Sequence, residues 1–305
     1  MNAPDLSVTI AGVTFANPVF TASGTSGTGE ELARVFPLKK LGGFVTKSIS
    51  VEPRAGHPPP RVAETAAGML NCIGLQNVGV ERFIAEKLAL LRCSGTRVIV
   101  NIVGREVDDY VAAARRLDRE PGIDMLELNL SCPNVKEGLD NGANPDWVQR
   151  CVAEVRKATQ RPLLAKLTPN THDIAALAHA AAEGGADAVS AINTLVGMSI
   201  DSTTRRPRLS NITGGLSGPA IKPVALACVY KVARAVKIPV VGIGGIMTGT
   251  DVVEFLLAGA TAVQVGTATF REPAACVQIV RELREYLRER RIAGVTELIG
   301  KLERP

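Results

Sequence analysis

The chain has 305 residues, 46% of them hydrophobic, and a formal net charge of +5. That is enough apolar material for one large core or two ordinary domains, while its apolar runs are too short and too often broken by glycine or charge to span a bilayer. Its bases alternate with acids, as in Arg281-Glu282-Leu283-Arg284-Glu285, which fits a solvated helix face better than a nucleic-acid stripe.

Residues 6–15 alternate around Gly12 and predict a small hairpin capping the floor of the fold. A repeated grammar follows: a short β-rich run, a Gly/Ser/Asn/Thr loop, then an amphipathic helix. Strands are expected at 19–22, 44–47, 98–103, 125–129, 163–167, 188–192, 240–242 and 262–265. Helices are expected at 30–35, 78–91, 107–116, 146–159, 173–183, 223–236, 250–258 and 273–290. Roughly eight such units, whose strands lack strict alternation, argue for a (β/α)8 barrel of parallel strands buried on both faces. Strand count alone also permits a doubly wound open sheet. Two insertions read as long loops: residues 48–77, with Pro53, Pro58, Pro59 and Pro60, and residues 194–219, rich in Gly, Ser, Thr and Arg. Both leave carboxyl ends of strands, where an active site needs covering. No break in composition marks a second domain, so residues 1–305 are expected to form a single one.

The cysteines are Cys72, Cys93, Cys132, Cys151, Cys228 and Cys276. None is spaced as CxxC and no signal-peptide pattern precedes them, so reduced thiols in a cytoplasm are expected, without an iron–sulfur cluster bound by this chain alone. Cys93, Cys151 and Cys228 fall on helices and are read as packing residues. Cys132 differs. It lies in Asn129-Leu130-Ser131-Cys132-Pro133-Asn134, just past the apolar strand Met125-Leu126-Glu127-Leu128. At that place in a barrel it is a candidate for proton or acyl chemistry.

Other strand ends are also polar. Lys47 and Lys166 end the second and fifth strands; each lysine either meets an anion or snorkels to solvent. Asn101 and Asn129 end the third and fourth, and Asn71 and Asn193 lie in the insertions. An amide both donates and accepts, which suits a flat heterocycle with alternating carbonyl and N–H edges. The turns Gly242-Ile243-Gly244-Gly245-Ile246 and Gly266-Thr267 follow the last two strands. Backbone N–H groups there can hold a phosphate, although each turn alone could be a tight connection. His57, His172 and His179 share no metal-ligand spacing, so no metal is expected, and no GxSxG elbow supports a serine hydrolase.

Taken together, the residues resemble the dihydroorotate dehydrogenases over nearly the whole chain. The segments that carry this are Lys47-Ser48, Glu52-Pro53-Arg54, Pro59-Pro60-Arg61, Asn71-Cys72-Ile73-Gly74-Leu75-Gln76-Asn77 and Asn129 to Asn134. Further along come Lys166-Leu167-Thr168-Pro169, Ile192-Asn193-Thr194, Gly214-Gly215-Leu216-Ser217-Gly218-Pro219 and the two glycine turns. The resemblance implies an FMN-containing barrel that oxidises dihydroorotate to orotate in pyrimidine synthesis. Asn193-Thr194-Leu195-Val196-Gly197-Met198 and the lid Asn134-Val135-Lys136-Glu137-Gly138 are most similar to the NAD-linked class. That class implies a homodimer within a heterotetramer whose other subunit carries FAD and a [2Fe–2S] cluster. The fumarate-using class is also similar. The membrane-bound, quinone-using class differs in its extra amino-terminal segment and its usual serine base.

Carried over residue by residue, the resemblance puts the FMN phosphate on Gly244, Gly245, Gly266 and Thr267, with Gly218 nearby. It puts Lys166 at the N1/C2 carbonyl edge of the flavin, and Ser23, Lys47, Ser48, Asn101, Asn129 and Ile192 around the ring. Lys47, Asn71, Cys72, Ile73, Gly74 and Leu75 would hold substrate, with Asn129, Asn193 and Thr194 on its amide edges. Cys132 would be the base that takes the C5 proton, since a thiol with a pKa of ~8.5 is a partial base near neutrality. Cys72 replaces a common alanine and Leu139 a common glycine, which bears on the lid and the thiol's surroundings. Two rival enzymes keep the barrel: a dihydropyrimidine dehydrogenase, for which Lys47 lacks a carboxylate to bind, and an IMP dehydrogenase-like enzyme, which would hold no flavin. A barrel that only binds a phosphate-bearing ligand is the non-enzyme rival.

Overall fold

The computed structural model describes residues 3–130 and 141–303. Cys132, the 134–138 segment and Leu139 lie outside the described residues.

Eight parallel strands close into a barrel: β1 (Val19–Thr21), β2 (Gly43–Val45), β3 (Arg97–Ile102), β4 (Met125–Asn129), β5 (Leu163–Leu167), β6 (Ala188–Ala191), β7 (Val240–Ile243) and β8 (Ala262–Val265). Each pairs with its neighbour in sequence and β8 returns to β1, which removes the open-sheet alternative. Every residue of β1, β2, β4, β5, β6, β7 and β8 is buried, so the strands cannot alternate apolar with polar as a half-exposed sheet does.

Helices cover the outside at Val107–Asp118, Pro145–Ala158, Ile174–Glu183, Lys222–Ala235, Gly249–Ala258 and Ala275–Glu289. Their starts follow the sequence: Asn144 accepts N–H bonds from Asp146 and Trp147, with Pro145 in the first turn. In the last helix Cys276, Ile279, Val280, Leu283 and Leu287 are buried at spacings of one helical face, which packs on Gly249–Ala258. The stretch expected as one helix at 78–91 is three pieces, Val80–Arg82, Phe83–Lys87 and Leu88–Arg92, the middle one widened to a π turn. Cys93 is a correction. It follows the last of these pieces and is exposed rather than packed in the core, because the chain there has already turned outward.

The hairpin pairs Val8–Ile10 with Val13–Phe15 across Ala11 and Gly12, both at positive φ. It closes the floor: Phe15 meets Phe20 of β1 with ring centroids 4.6 Å apart, and Arg97, the first residue of β3, donates to the Thr14 carbonyl. A Cβ at Gly43 would sit 3.1 Å from Phe20 and 3.3 Å from Phe15, so glycine opens β2 for these rings.

The two insertions are not loops throughout, a second correction. They supply Leu195–Met198, Thr213–Ser217, Gly68–Asn71 and Val62–Thr65, which form a four-stranded antiparallel sheet in that order above the strands' carboxyl ends. The pairing is long-range, with Leu216 opposite Leu70, so no local turn announces it. Its glycines allow close approach: a Cβ on Gly68 would lie 2.0 Å from the Ser217 carbonyl oxygen.

Candidate active site

A cavity of about 300 Å³ opens between the carboxyl ends of the barrel strands and this sheet. Barrel catalysis sits at this end because the βα loops converge there. Ser23, Lys47, Ser48, Asn129, Lys166 and Ile192 line it from the strand ends; Asn71, Ile73, Leu75, Asn193 and Thr194 line it from the insertions. Gly218, Gly244, Gly245, Gly266 and Thr267 form one wall. The structure therefore brings together most residues singled out in the sequence. Three it does not bring to the surface of the cavity. Asn101 is fully buried beneath it, the Cys72 side chain packs with Leu70 and Leu209, and Gly74 lies against His57.

The polar wall is continuous. Ser23 and Ser48 hydroxyls are 3.3 Å apart, and the Asn129 amide donates to Ser48 at 3.2 Å. Asn193 donates to the Asn129 carbonyl oxygen at 3.1 Å and accepts from the Thr194 N–H at 2.9 Å. Tyr110 fixes the strand end by donating to the Asn129 backbone carbonyl at 2.8 Å. These bonds run across the ends of β1, β2, β4 and β6 and orient amides before any ligand arrives, which is how preorganised sites hold flat polar molecules.

Charge on the cavity is one-sided. Among the described residues the lining includes Lys47 and Lys166 and no carboxylate. Lys166 stands opposite Asn129 in the β4–β5 register, is 5% exposed, and makes no hydrogen bond or ion pair with a described residue. A buried ammonium in that position calls for an anion from outside the chain.

The glycine wall is built by close approach. Gly245 has φ +75, and a Cβ there would lie 2.7–2.9 Å from Lys222 and from the Gly218 carbonyl. Only glycine lets the turn after β7 touch the start of helix Lys222–Ala235. Asp251 locks the same turn: it accepts from Lys222 at 2.6 Å and from the Met247 and Thr248 N–H groups, each at 2.8 Å. Burial works against its charged form, but Lys222 and the two N–H groups outweigh this and hold the carboxyl below its ordinary value. Lys222 is thus neutralised by Asp251, with Glu254 at 3.0 Å, leaving peptide groups to meet a ligand on this wall.

An apolar side completes the cavity with Val62, Met69, Met247 and Phe270, the last 59% exposed at the rim. Sequence patterning did not single these out, since isolated apolar residues in loops carry no periodic signal. It also passed over Glu127. That residue sits in mid-strand on β4, fully buried, and accepts from Asn101 at 2.6 Å, Gln264 at 2.6 Å and Ser190 at 2.9 Å. A lone carboxylate in an otherwise apolar strand was the signal available. The remaining thiols fit packing: burial pushes Cys151 and Cys276 up to about 12, and raises Cys228.

Comparison with known proteins agrees with this architecture. The family model for dihydroorotate dehydrogenase matches residues 5–287. The chain is 55% identical to the dihydroorotate dehydrogenase B (NAD(+)) catalytic subunit of Geobacter metallireducens, covering 99% of this chain and 100% of that protein. It is 54% identical to the protein of the same description from Geobacter sulfurreducens, with the same coverage. The crystal structure of the Eimeria tenella enzyme in complex with ferulenol superposes with a TM-score of 0.84 at 26% identity, covering 99% of this chain and 89% of that one. The chain belongs to the dihydroorotate dehydrogenase family, whose enzymes are flavoproteins.

Proposed function

We propose that the whole chain is one FMN-binding barrel domain that oxidises dihydroorotate to orotate and passes the electrons, through a partner subunit, to NAD. The observation that carries this reading is the buried Lys166, unpaired among the described residues, beside a wall of oriented amides and a glycine wall. The residues fit FMN: close-packed glycine turns for its phosphate, amides for its ring edge, and a cation where negative charge develops on reduction. Bound FMN supplies the acceptor for the substrate's hydride.

The chain's own residues do the rest. Gly218, Gly244, Gly245, Gly266 and Thr267 would hold the phosphate, while Ser23, Ser48, Asn129, Lys166 and Ile192 would hold the ring. Asn101 would support the ring's floor from beneath the cavity surface. Lys47, which lines the same cavity, would bind the substrate carboxylate, with Asn71, Asn193 and Thr194 on the pyrimidine amides. Cys132, three residues past Asn129, is proposed as the base that takes the C5 proton. The apolar rim excludes water from the reacting face.

The relatives' designation as NAD(+)-linked catalytic subunits supports an electron-transfer partner, read here as an FAD and [2Fe–2S] subunit in a heterotetramer built on a homodimer. Among the described residues no helix is long and apolar enough to cross a membrane; the enzyme is read as cytoplasmic. Anaerobic mixing of the purified protein with dihydroorotate tests the reading. Flavin absorbance should bleach with dihydroorotate and not with dihydrouracil, which has no carboxylate for Lys47. Equal bleaching by both would move the chain to the dihydropyrimidine reaction.

A further inference from the structure

The barrel interior holds a charge that the proposed reaction does not use. Among the described residues, the only ionisable side chains on the eight strands are Arg97, Glu127 and Lys166. Arg97 starts β3 at the floor and pairs with Asp124 outside. The other two are the interior's charges. Glu127 is held by Asn101 of β3, Ser190 of β6 and Gln264 of β8, strands on different sides of the ring, so its carboxylate lies near the barrel axis.

Its oxygens only accept among the described residues. Three donors meet two carboxylate oxygens, whereas a neutral acid keeps a proton to donate and accepts less readily. Both amides turn their N–H2 groups toward it, and in doing so leave the Asn101 Oδ1 and Gln264 Oε1 atoms buried without a partner among the described residues. Orphaning two buried carbonyl oxygens is costly, and satisfying a full negative charge offsets that.

Lys166 lies one layer above. It is in register with Asn129, two residues beyond Glu127 on the adjacent strand. Strand geometry separates Glu127 and Lys166 by about 6.6 Å along the barrel and about 4.8 Å across it. No ion pair joins them, but the dry interior lets charges act over such a distance.

We propose that Glu127 is a fixed counter-charge beneath Lys166, a positioning residue that lowers the reduction potential of the bound ring. The inference rests on the reading of the cavity as a flavin site. A ring that takes up electrons becomes more negative. Lys166, at the cavity surface, favours that change, and Glu127 below opposes it, so the pair sets how strongly substrate oxidation is driven.

The test is the midpoint potential of the bound flavin, measured against reference dyes, in wild type, Glu127→Gln and Gln264→Leu. The glutamine amide of the first variant can donate to the orphaned Asn101 and Gln264 oxygens, which favours its folding. Glu127→Gln should shift the flavin equilibrium at least tenfold toward the reduced form, about 30 mV for a two-electron couple. Gln264→Leu removes a donor and keeps the charge, and should not raise the potential. An unchanged potential in Glu127→Gln, or an equal rise in both variants, overturns the inference while the flavin reading stands. A wild-type protein without flavin overturns both. If Glu127→Gln does not accumulate as folded protein, the infrared spectrum of the wild-type holoenzyme with 13C-labelled glutamate decides: no labelled carboxylic-acid band supports the charge, and such a band from a buried acid that disappears in Glu127→Asp overturns it.

Discussion

The two ends of the barrel are made from the same eight strands and differ in almost everything else. At the floor, Phe15 and Phe20 pack ring against tilted ring and glycine at position 43 makes room for them, so the closure is apolar and tight. At the mouth, Lys47, Lys166, Asn129 and Asn193 face a cavity, and amides are oriented in advance. The floor contributes stability through burial, whereas the mouth leaves Lys166 without a partner among the described residues and so gives stability up for binding. Mutations at the two ends should separate accordingly.

The largest effect is expected at the mouth. Cys132→Ala should slow flavin reduction by dihydroorotate about 100- to 10,000-fold with flavin still bound, read by stopped-flow absorbance. A rate near wild type across pH would assign the base elsewhere. Lys166→Met should cost about 100- to 1,000-fold in the same rate, with no loss of melting temperature, since no bond to a described residue is removed. A lower melting temperature would show that the lysine serves the fold.

Phe15→Ala tests the other end. It should cost about 3–5 kcal/mol in denaturant unfolding, yet leave turnover per folded molecule unchanged. A change in KM for dihydroorotate would show that the ends are coupled. Asp251→Asn should cost about 2 kcal/mol and weaken FMN while leaving riboflavin, which lacks the phosphate, unaffected. The carboxyl of Asp251 is held below its unfolded value, so its contribution is present above the ordinary carboxylate range and is lost as pH falls through the lower folded value. The stability gap between wild type and this variant should therefore close below about pH 4. Equal gaps at pH 7 and at low pH would remove the ion pair as the cause. Cys93→Ser, at an exposed position, should stay within about 0.5 kcal/mol of wild type in the same unfolding measurement.

Legibility in the sequence followed the range of the interactions. The barrel strands and most helices were readable because short buried runs and one-faced helices are local patterns, and the ends differ from expectation by a residue or two. Lys166 and Asn129 were readable because a polar residue ending an apolar strand stands out. The roof sheet was not, because Leu216 and Leu70 pair across nearly half the chain and the strands contain several glycines. Asn101 was given a place beside the flavin by the resemblance; its direct partner is Glu127, opposite it in the β3–β4 register and below the surface of the cavity. Cys72 and Gly74 lie just past the end of a strand, among Asn71, Ile73 and Leu75 that line the cavity, but Cys72 packs with Leu70 and Leu209 and Gly74 against His57.

The account depends on the mouth holding a flavin, and the most direct measurement is the amount of FMN released from the purified chain. One FMN per chain is the predicted value, with yellow colour that bleaches when dihydroorotate is added without air. A folded, colourless barrel that takes up no FMN would contradict it.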